Sequence, residues 1–332
     1  MSTPKREIPP ELGDTFLWSD AIDAGVSPRR LRHSDLEAPF RGVRRRRDFA
    51  LTQAVPAGPD RWRTSLQHAS RGHPLSVRRA EHLERARLYR IAASEDSFFC
   101  GLTAATVFGL SATIEPRQAI EVARLFPERA PRARGVRGVQ IRPWLASVET
   151  VGGLRVTSPA TTWAMLARRL SVEELVVLGD AIVFAPRSKG THPRPPSLGS
   201  LAELEEAANA RGRPGAPLLR RALAQIRVGS ASPPETRLRL LLTAAGLPEP
   251  TLDFEVRDER GRLLGRSELA YPDAKVAIEY ESEHHRVDRQ QWNRDIEKYQ
   301  GYAETGWSIV RVTADMLHRN SEEIVRRVRR SV

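Results

Sequence analysis

The chain has 332 residues, 53 Lys and Arg against 41 Asp and Glu for a formal net charge of +12, and one cysteine, Cys100. A single cysteine excludes an internal disulfide framework and any cysteine-rich zinc site. No stretch reaches the ~18 consecutive apolar residues of a membrane span, and the opening MSTPKREIPPELGD lacks the apolar core of a secretory signal, so a cytoplasmic protein without a membrane partner is expected.

The charge is unevenly placed. Residues 231–332 hold 17 basic and 18 acidic side chains, so the whole surplus lies N-terminal to them. A basic excess releases counterions from a phosphate backbone, which makes nucleic acid the first partner to consider. The competing reading is an Arg-rich solvated surface. Stretches rich in Pro, Gly, Ser and His at 65–76 and 186–200, with a short one at 228–234, read as connections. They divide the chain into units at about 1–64, 80–227 and 231–332, an α/β chain of α+β multidomain type.

In chain order, Phe16, Leu17, Ala21, Ile22 and Ala24 recur at helical spacing and stop at Gly25. Ser27 and Pro28 suit the N-cap and first turn of a second helix, which carries Arg29, Arg30, Arg32 and His33 around Leu31. FRGVRRRRDFAL follows as a predicted strand pair. A short arginine-bearing helix beside a basic wing is the layout of a winged helix-turn-helix, with Arg29, Arg30, Arg32, Arg44, Arg45, Arg46 and Arg47 as candidate DNA contacts. The plainer alternative is a small helical pair capping the next domain.

Residues 80–227 predict an α+β scaffold. Thr157, Ser158 and Pro159 should cap a helix with Trp163, Met165, Leu166 and Leu170 as its buried stripe. Asp180, in a mostly apolar run, is expected to be a capped or paired core residue. The loop PRARGVRGVQIR (131–142) is basic and glycine-containing, which alone is weak ground for phosphate binding.

The last unit carries the chemistry. Pro233 and Pro234 open an amphipathic helix running from Glu235 to about Ala245 and ending at Gly246; strands are predicted at 252–259, 262–272 and 275–283, then a helix with Trp292, Ile296, Tyr299 and Tyr302, a strand, and a closing helix. The order αβββαβα is a three-layer α/β domain. Side chains alternate along a strand, so Glu279 and Glu281 project together while Val276, Ile278 and Tyr280 face an apolar layer. A turn at Tyr271-Pro272-Asp273 brings Glu268 back to the same place. Phosphodiester hydrolysis needs a divalent metal to polarise the phosphoryl oxygen and acidify water, and Mg²⁺ (or Mn²⁺) prefers a few carboxylates. Glu268, Glu279 and Glu281 are the candidate metal ligands, Glu235 could orient a metal-bound water, and His284 or His285 could serve as general acid or base. Asp295 is expected to pair with Lys298 on the following helix. The competing reading of the carboxylates is a solvated strand face.

Two resemblances sharpen these readings. DAIDAGVSPRRLRHSDLEAPFRGVRRRRDFAL, with FFCGLTAATVFGL further on, resembles the N-terminal region of AbiEi-type antitoxins, and this implies a DNA-binding winged helix and a cognate toxin or defence-system protein as a further partner. Arg44 stands where that pattern has tyrosine. SPPETRLRLLLTAAGLPEP, GRSELAYPDAKVAIEYESEHHR, WNRDIEKYQ and TGWSIVRVTADML resemble the Vsr-like branch of PD-(D/E)XK endonucleases and cover nearly all of 231–332. The resemblance implies a restriction-endonuclease-like fold with Glu235, Glu268, Glu279 and Glu281 at its acidic positions. Glu268 replaces the usual Asp, Glu281-Ser282 replaces Asp-Gly, and no lysine follows two residues after Glu279. The expected function is a metal-dependent DNA endonuclease connected with phage defence or toxin–antitoxin regulation. The alternative is a catalytically inactive DNA-binding regulator or antitoxin, and an RNA-directed nuclease differs in substrate alone.

Overall fold

The computed structural model describes residues 7–47, 74–186, 196–281 and 289–332. It is a mixed α/β structure with three sheets, of three, five and four strands among the described residues. The chain forms two compact units, one of Met1–Arg168 with Glu206–Ala216, the other of Arg169–Glu205 with Pro217–Val332. No helix among the described residues is long and apolar enough to cross a membrane.

In the first unit, β1 (Thr15–Leu17) leads into α1 (Trp18–Asp23), and β2 (Leu36–Glu37) and β3 (Val43–Arg46) complete an antiparallel sheet of order β1-β3-β2. Its core is Ile8, Phe16, Ala21, Val26, Leu31 and Leu36. Gly25 ends α1 with φ of 80°, a left-handed conformation that glycine adopts without a Cβ penalty. The predicted second helix is only a 3₁₀ turn, Arg30–Arg32. Ser27 Oγ does accept the Arg30 N–H at 3.3 Å, yet His33 is already extended and Leu36 must enter β2, which leaves no room for further helical turns.

The helix α2 (Pro74–Ala92) packs against β1 and β3 and also against α3 (Gly101–Val107). The first small sheet and the middle of the chain therefore fall in one unit, where connection composition alone suggests two. The middle sheet contains β4 (Phe98–Phe99), β5 (Ile120–Leu125), β6 (Val136–Ile141), β7 (Val148–Val151) and β8 (Leu154–Thr157) in the order β6-β5-β4-β8-β7. Ser158 caps α4 (Pro159–Leu166) by accepting the Thr161 N–H, and Trp163 and Leu166 are fully buried as expected, whereas Met165 is half-buried and Leu170, also half-buried, lies beyond the helix end.

The second unit begins with α5 (Val172–Val183), closed by a Ser171/Glu174 capping box. The unit boundary falls within α6 (Leu201–Asn209) and again at the start of α7 (Ala216–Leu223); then come α8 (Pro233–Ala244), β9 (Thr251–Arg257), β10 (Leu263–Tyr271), β11 (Val276–Glu281), α9 (Arg289–Glu304), β12 (Ser308–Thr313), α10 (Ala314–Arg319) and α11 (Ser321–Ser331). The sheet has the order β12-β11-β10-β9, an antiparallel meander extended by a parallel β11/β12 pair. Leu238 and Leu242 of α8 and Ile324 and Val328 of α11 pack on one face against Leu269, Tyr271, Val276, Ile278, Val310 and Val312. Tyr302 of α9 covers the other face with Val256 and Ala277. The sheet is the middle of three layers.

Helix α5 belongs to this unit because Asp180 is tied to α8. Asp180 Oδ2 accepts hydrogen bonds from Thr236 Oγ1 at 2.9 Å and Arg239 Nη2 at 2.8 Å, and Oδ1 accepts the Arg227 N–H at 2.7 Å. Both ion-pair side chains are 1 % exposed. Removing one partner strands a buried guanidinium, so Asp180→Ala is expected to destabilise this unit by ~3–5 kcal/mol, whereas Asp180→Leu combined with Arg239→Met recovers most of that loss. Urea unfolding of the full chain measures both; a loss for Asp180→Ala below ~1 kcal/mol would show that the pair is dispensable.

Candidate functional site

The β10/β11 hairpin sets the geometry. Its register pairs Leu269 with Ile278, Ala270 with Ala277 and Tyr271 with Val276, and Glu268 and Glu279, the next residue on each strand, are near enough to act on each other electrostatically. The turn closes through the Lys275 N–H on the Pro272 carbonyl at 3.0 Å, with Lys275 at φ of 51°. Val276 and Ile278 lie in the apolar layer with Tyr280 against it, so Glu279 and Glu281 take the α9 side, as strand alternation predicts. Glu268 Oε2 accepts the Tyr280 N–H at 2.7 Å.

Glu235 comes from the first turn of α8. Ser232 is the N-cap, its hydroxyl donating to Glu235 Oε1 at 2.8 Å, while the Ala231 N–H donates to Oε2 at 2.8 Å. Glu235 and Glu279 are each only 6 % exposed. Burial disfavours their charged forms, and neighbouring carboxylates add to this. Burial raises Glu235 from the ordinary 4.5 to about 7, with Asp253 and Glu279 contributing in the same direction. Glu268 is pushed well above the carboxylate range by burial and then by Glu235 and Glu279, against the opposing Tyr280 N–H and Lys298. Glu279 is also raised by burial, with Lys298 opposing. Glu235, Glu268 and Glu279 therefore act on one another as an electrostatic cluster.

Lys298, on α9, completes this cluster. Its Nζ lies 2.9 Å from Glu279 Oε1 and 5.5 Å from the ring centroids of both Tyr299 and Tyr302, a cation–π setting. Gly265 makes the approach possible: a Cβ there would stand 2.8 Å from Lys298 Cγ. The sequence reading paired Lys298 with Asp295 instead. The side chain of Asp295 lies outside the described residues, as do His284 and His285. The clue available in sequence was the missing lysine after Glu279 together with a lysine one helix later, just before Tyr299 and Tyr302.

Glu281 is engaged elsewhere. It accepts the Tyr299 hydroxyl at 3.1 Å and Arg311 Nε at 2.7 Å, and Tyr299 is held protonated first by burial and then by the charges of Glu279 and Glu281. Among the described residues no three His, Cys, Asp or Glu side chains stand together as a ready-made metal cage. The chemistry of the donors nevertheless suits a hard divalent ion, since Mg²⁺ uses one or two carboxylates and keeps its waters, with Glu279 Oε1 already held by the Lys298 ammonium.

The candidate DNA contacts in the first unit divide into two groups. Arg30 makes a two-fold contact with Asp35, 2.8 Å at each oxygen, which with burial opposing holds the Asp35 carboxyl down to about 2. Arg44 donates to the Leu31 carbonyl at 2.8 Å and lies 4.5 Å over the Trp18 ring. Arg45 pairs with Glu37 and with Glu84, and Arg46 donates to the Ile8 carbonyl at 3.1 Å. These four hold the fold together. Arg29, Arg32 and Arg47 are exposed.

No family model matches the chain, and no solved structure matches it. It is similar to two uncharacterised proteins of Mycobacterium tuberculosis, from strains CDC 1551 and H37Rv, each 28% identical over 203 residues that cover 58% of this chain and 70% of the relative.

The raised Glu235 gives a stability signature. Folded Glu235 keeps its proton up to about 7, whereas the unfolded carboxyl loses it near 4.5, so the native state binds the extra proton between those values. This contribution is fully present below the lower value and disappears as pH rises through the upper one. Glu235→Gln should therefore flatten the decline in thermal midpoint between pH 5 and pH 8, read by differential scanning calorimetry. An unchanged decline would remove Glu235 as the titrating group.

Proposed function

We propose that the chain is a metal-dependent DNA endonuclease of the Vsr-like PD-(D/E)XK kind, with a winged helix-turn-helix-like DNA-binding region at its N-terminus, acting in the cytoplasm. The observation that carries this reading is the electrostatically linked trio of buried Glu235 and Glu279 with half-buried Glu268, and Lys298 beside Glu279. Three adjacent carboxylates share one ammonium group, a balance that a divalent cation improves. Mg²⁺ or Mn²⁺ held by Glu268 and Glu279 would polarise a phosphoryl oxygen and lower the pKa of a bound water. Lys298 fixes Glu279 and places a positive charge beside the ligand pair. Glu235, with a proton affinity near neutrality, suits proton transfer to and from water. Glu281, bound to Arg311, serves in this reading to brace Tyr299, and His284 or His285 remain the proposed acid–base groups from sequence. Arg29, Arg32 and Arg47 would contact the duplex. A role in phage defence or toxin–antitoxin regulation, with a cognate toxin as partner, follows from the antitoxin resemblance.

A second reading, a DNA-binding regulator without catalysis, is favoured by one observation: Glu279 and Glu281 already have cationic partners. Plasmid cleavage with Mg²⁺ or Mn²⁺ separates the two. Glu279→Ala is expected to lower cleavage by about 10²–10³-fold and Lys298→Met by about 10-fold or more; wild-type rates in Glu279→Ala would sink the proposed site. Calorimetric titration of Mn²⁺ is expected to give a binding isotherm that Glu268→Ala abolishes. No heat of binding in the wild type, together with duplex binding whose salt slope falls by about 1 in Arg29→Ala, would favour the regulator.

A further inference from the structure

We propose that the surface formed by Phe126, Arg142 and Trp144 in the first unit binds unpaired single-stranded nucleic acid. Strands β5 and β6 run parallel, so the residues leaving their C-terminal ends emerge side by side, and the Phe126 N–H donates to the Ile141 carbonyl at 2.8 Å. Phe126 follows β5 directly. Arg142 and the 3₁₀ turn Pro143–Leu145 follow β6. The Arg142 guanidinium carbon lies 5.8 Å from the Phe126 ring centroid and 5.3 Å from that of Trp144, so one cation is shared by two rings.

Both rings face solvent, Phe126 at 50 % and Trp144 at 56 % exposure, and the other large hydrophobic side chains exposed among the described residues are aliphatic. The indole is held in place from the protein side: Trp144 Nε1 donates to the Arg211 carbonyl at 3.1 Å. Its polar edge is thereby satisfied while π-surface stays open. The β5–β6 connection leaves the rings and runs back along β6, with the Pro127 and Glu128 carbonyls accepting from Gln140 Nε2; Arg129 on it is exposed, and Glu128 already sits 3.3 Å from Arg124. Arg142 supplies the cation at the rings, and β6 is an edge strand of its sheet.

Aromatic platforms interleaved with arginines match the two faces of a single strand, bases that stack on rings and phosphates that pair with guanidinium groups. In a duplex the base faces are already stacked on one another, so the open rings select unpaired strands. The chemistry is common to DNA and RNA. The site does not depend on the acidic cluster of the second unit and is tested without metal.

The experiment is fluorescence anisotropy in EDTA with labelled oligothymidylate and oligouridylate of about 20 nucleotides, enough to exceed one binding footprint, beside a duplex of equal length. Wild type is expected to bind one or both single strands more tightly than the duplex. Phe126→Ala and Trp144→Ala should each weaken single-strand binding about tenfold, and the double variant about a hundredfold. Trp144→Phe keeps a ring and loses only the indole hydrogen bond, so it should retain most of the affinity, with an unchanged thermal transition confirming the fold. Preference for the duplex, a double variant that binds like wild type, or a Trp144→Phe variant as weak as Trp144→Ala would each overturn the proposal. Affinity for the uridylate or the thymidylate alone identifies which strand the surface takes.

Discussion

Burying carboxylates beside one another is costly, because each charged form loses hydration and repels its neighbours. That cost organises the end of the sheet where Glu235, Glu268 and Glu279 meet. Two strands bring Glu268 and Glu279 within electrostatic reach of each other, and a helix cap points Glu235 at the same region. The offsetting contacts come from three different sources: the Ala231 N–H and Ser232 hydroxyl for Glu235, the Tyr280 N–H for Glu268, and Lys298 for Glu279. Only the last is a full charge. The cluster is thus under-compensated, and a solvated strand face would have no reason to keep Glu279 buried.

The strand half of this site was legible in the sequence because period-two alternation is a local property. Val276, Ile278 and Tyr280 against Glu279 and Glu281, a Pro-containing turn, and Glu268 before it are enough to draw the hairpin. Lys298 was not legible in the same way. Its partner depends on how α9 is rotated above the sheet, and that rotation is set by Tyr302 packing against Val256 and Ala277 and by the space that Gly265 leaves for the lysine stem. A helix-local rule looks only to Asp295, whose side chain lies outside the described residues; the packed sheet brings Glu279 to Lys298. Glu281 likewise read as a ligand from alternation, yet Arg311 stands opposite Glu279 on β12 and its guanidinium reaches across to the Glu281 carboxylate.

The same contrast governs the arginines. Composition placed the basic surplus ahead of residue 231, but a count of charges does not say which guanidinium groups face water. Arg44 and Arg45 find acceptors or rings through pairings of high sequence separation, Leu31 and Trp18 for one, Glu84 for the other. The short span between Ser27 and β2 also limits the expected helix to one 3₁₀ turn, a consequence of chain length between two fixed points rather than of propensity. The loop after β5, weak as a phosphate motif on its own, gains meaning only when parallel strand pairing brings Phe126, Arg142 and Trp144 to one edge.

Helix α8 links the two halves of the second unit's logic. Its first turn presents Glu235 and Thr236, and its second presents Arg239. Thr236 and Arg239 are gripped by Asp180 of α5, and Arg239 also donates to Glu249 at 2.9 Å, just beyond the Gly246 turn that ends the helix. A helix held through its first two turns by buried polar contacts has little freedom to slide or rotate, because each contact is directional and costly to break inside the protein. Glu235 is therefore positioned by residues that never touch it. The hydrogen bonds from Ala231 and Ser232 orient the carboxyl group, while Asp180 fixes the axis along which it points.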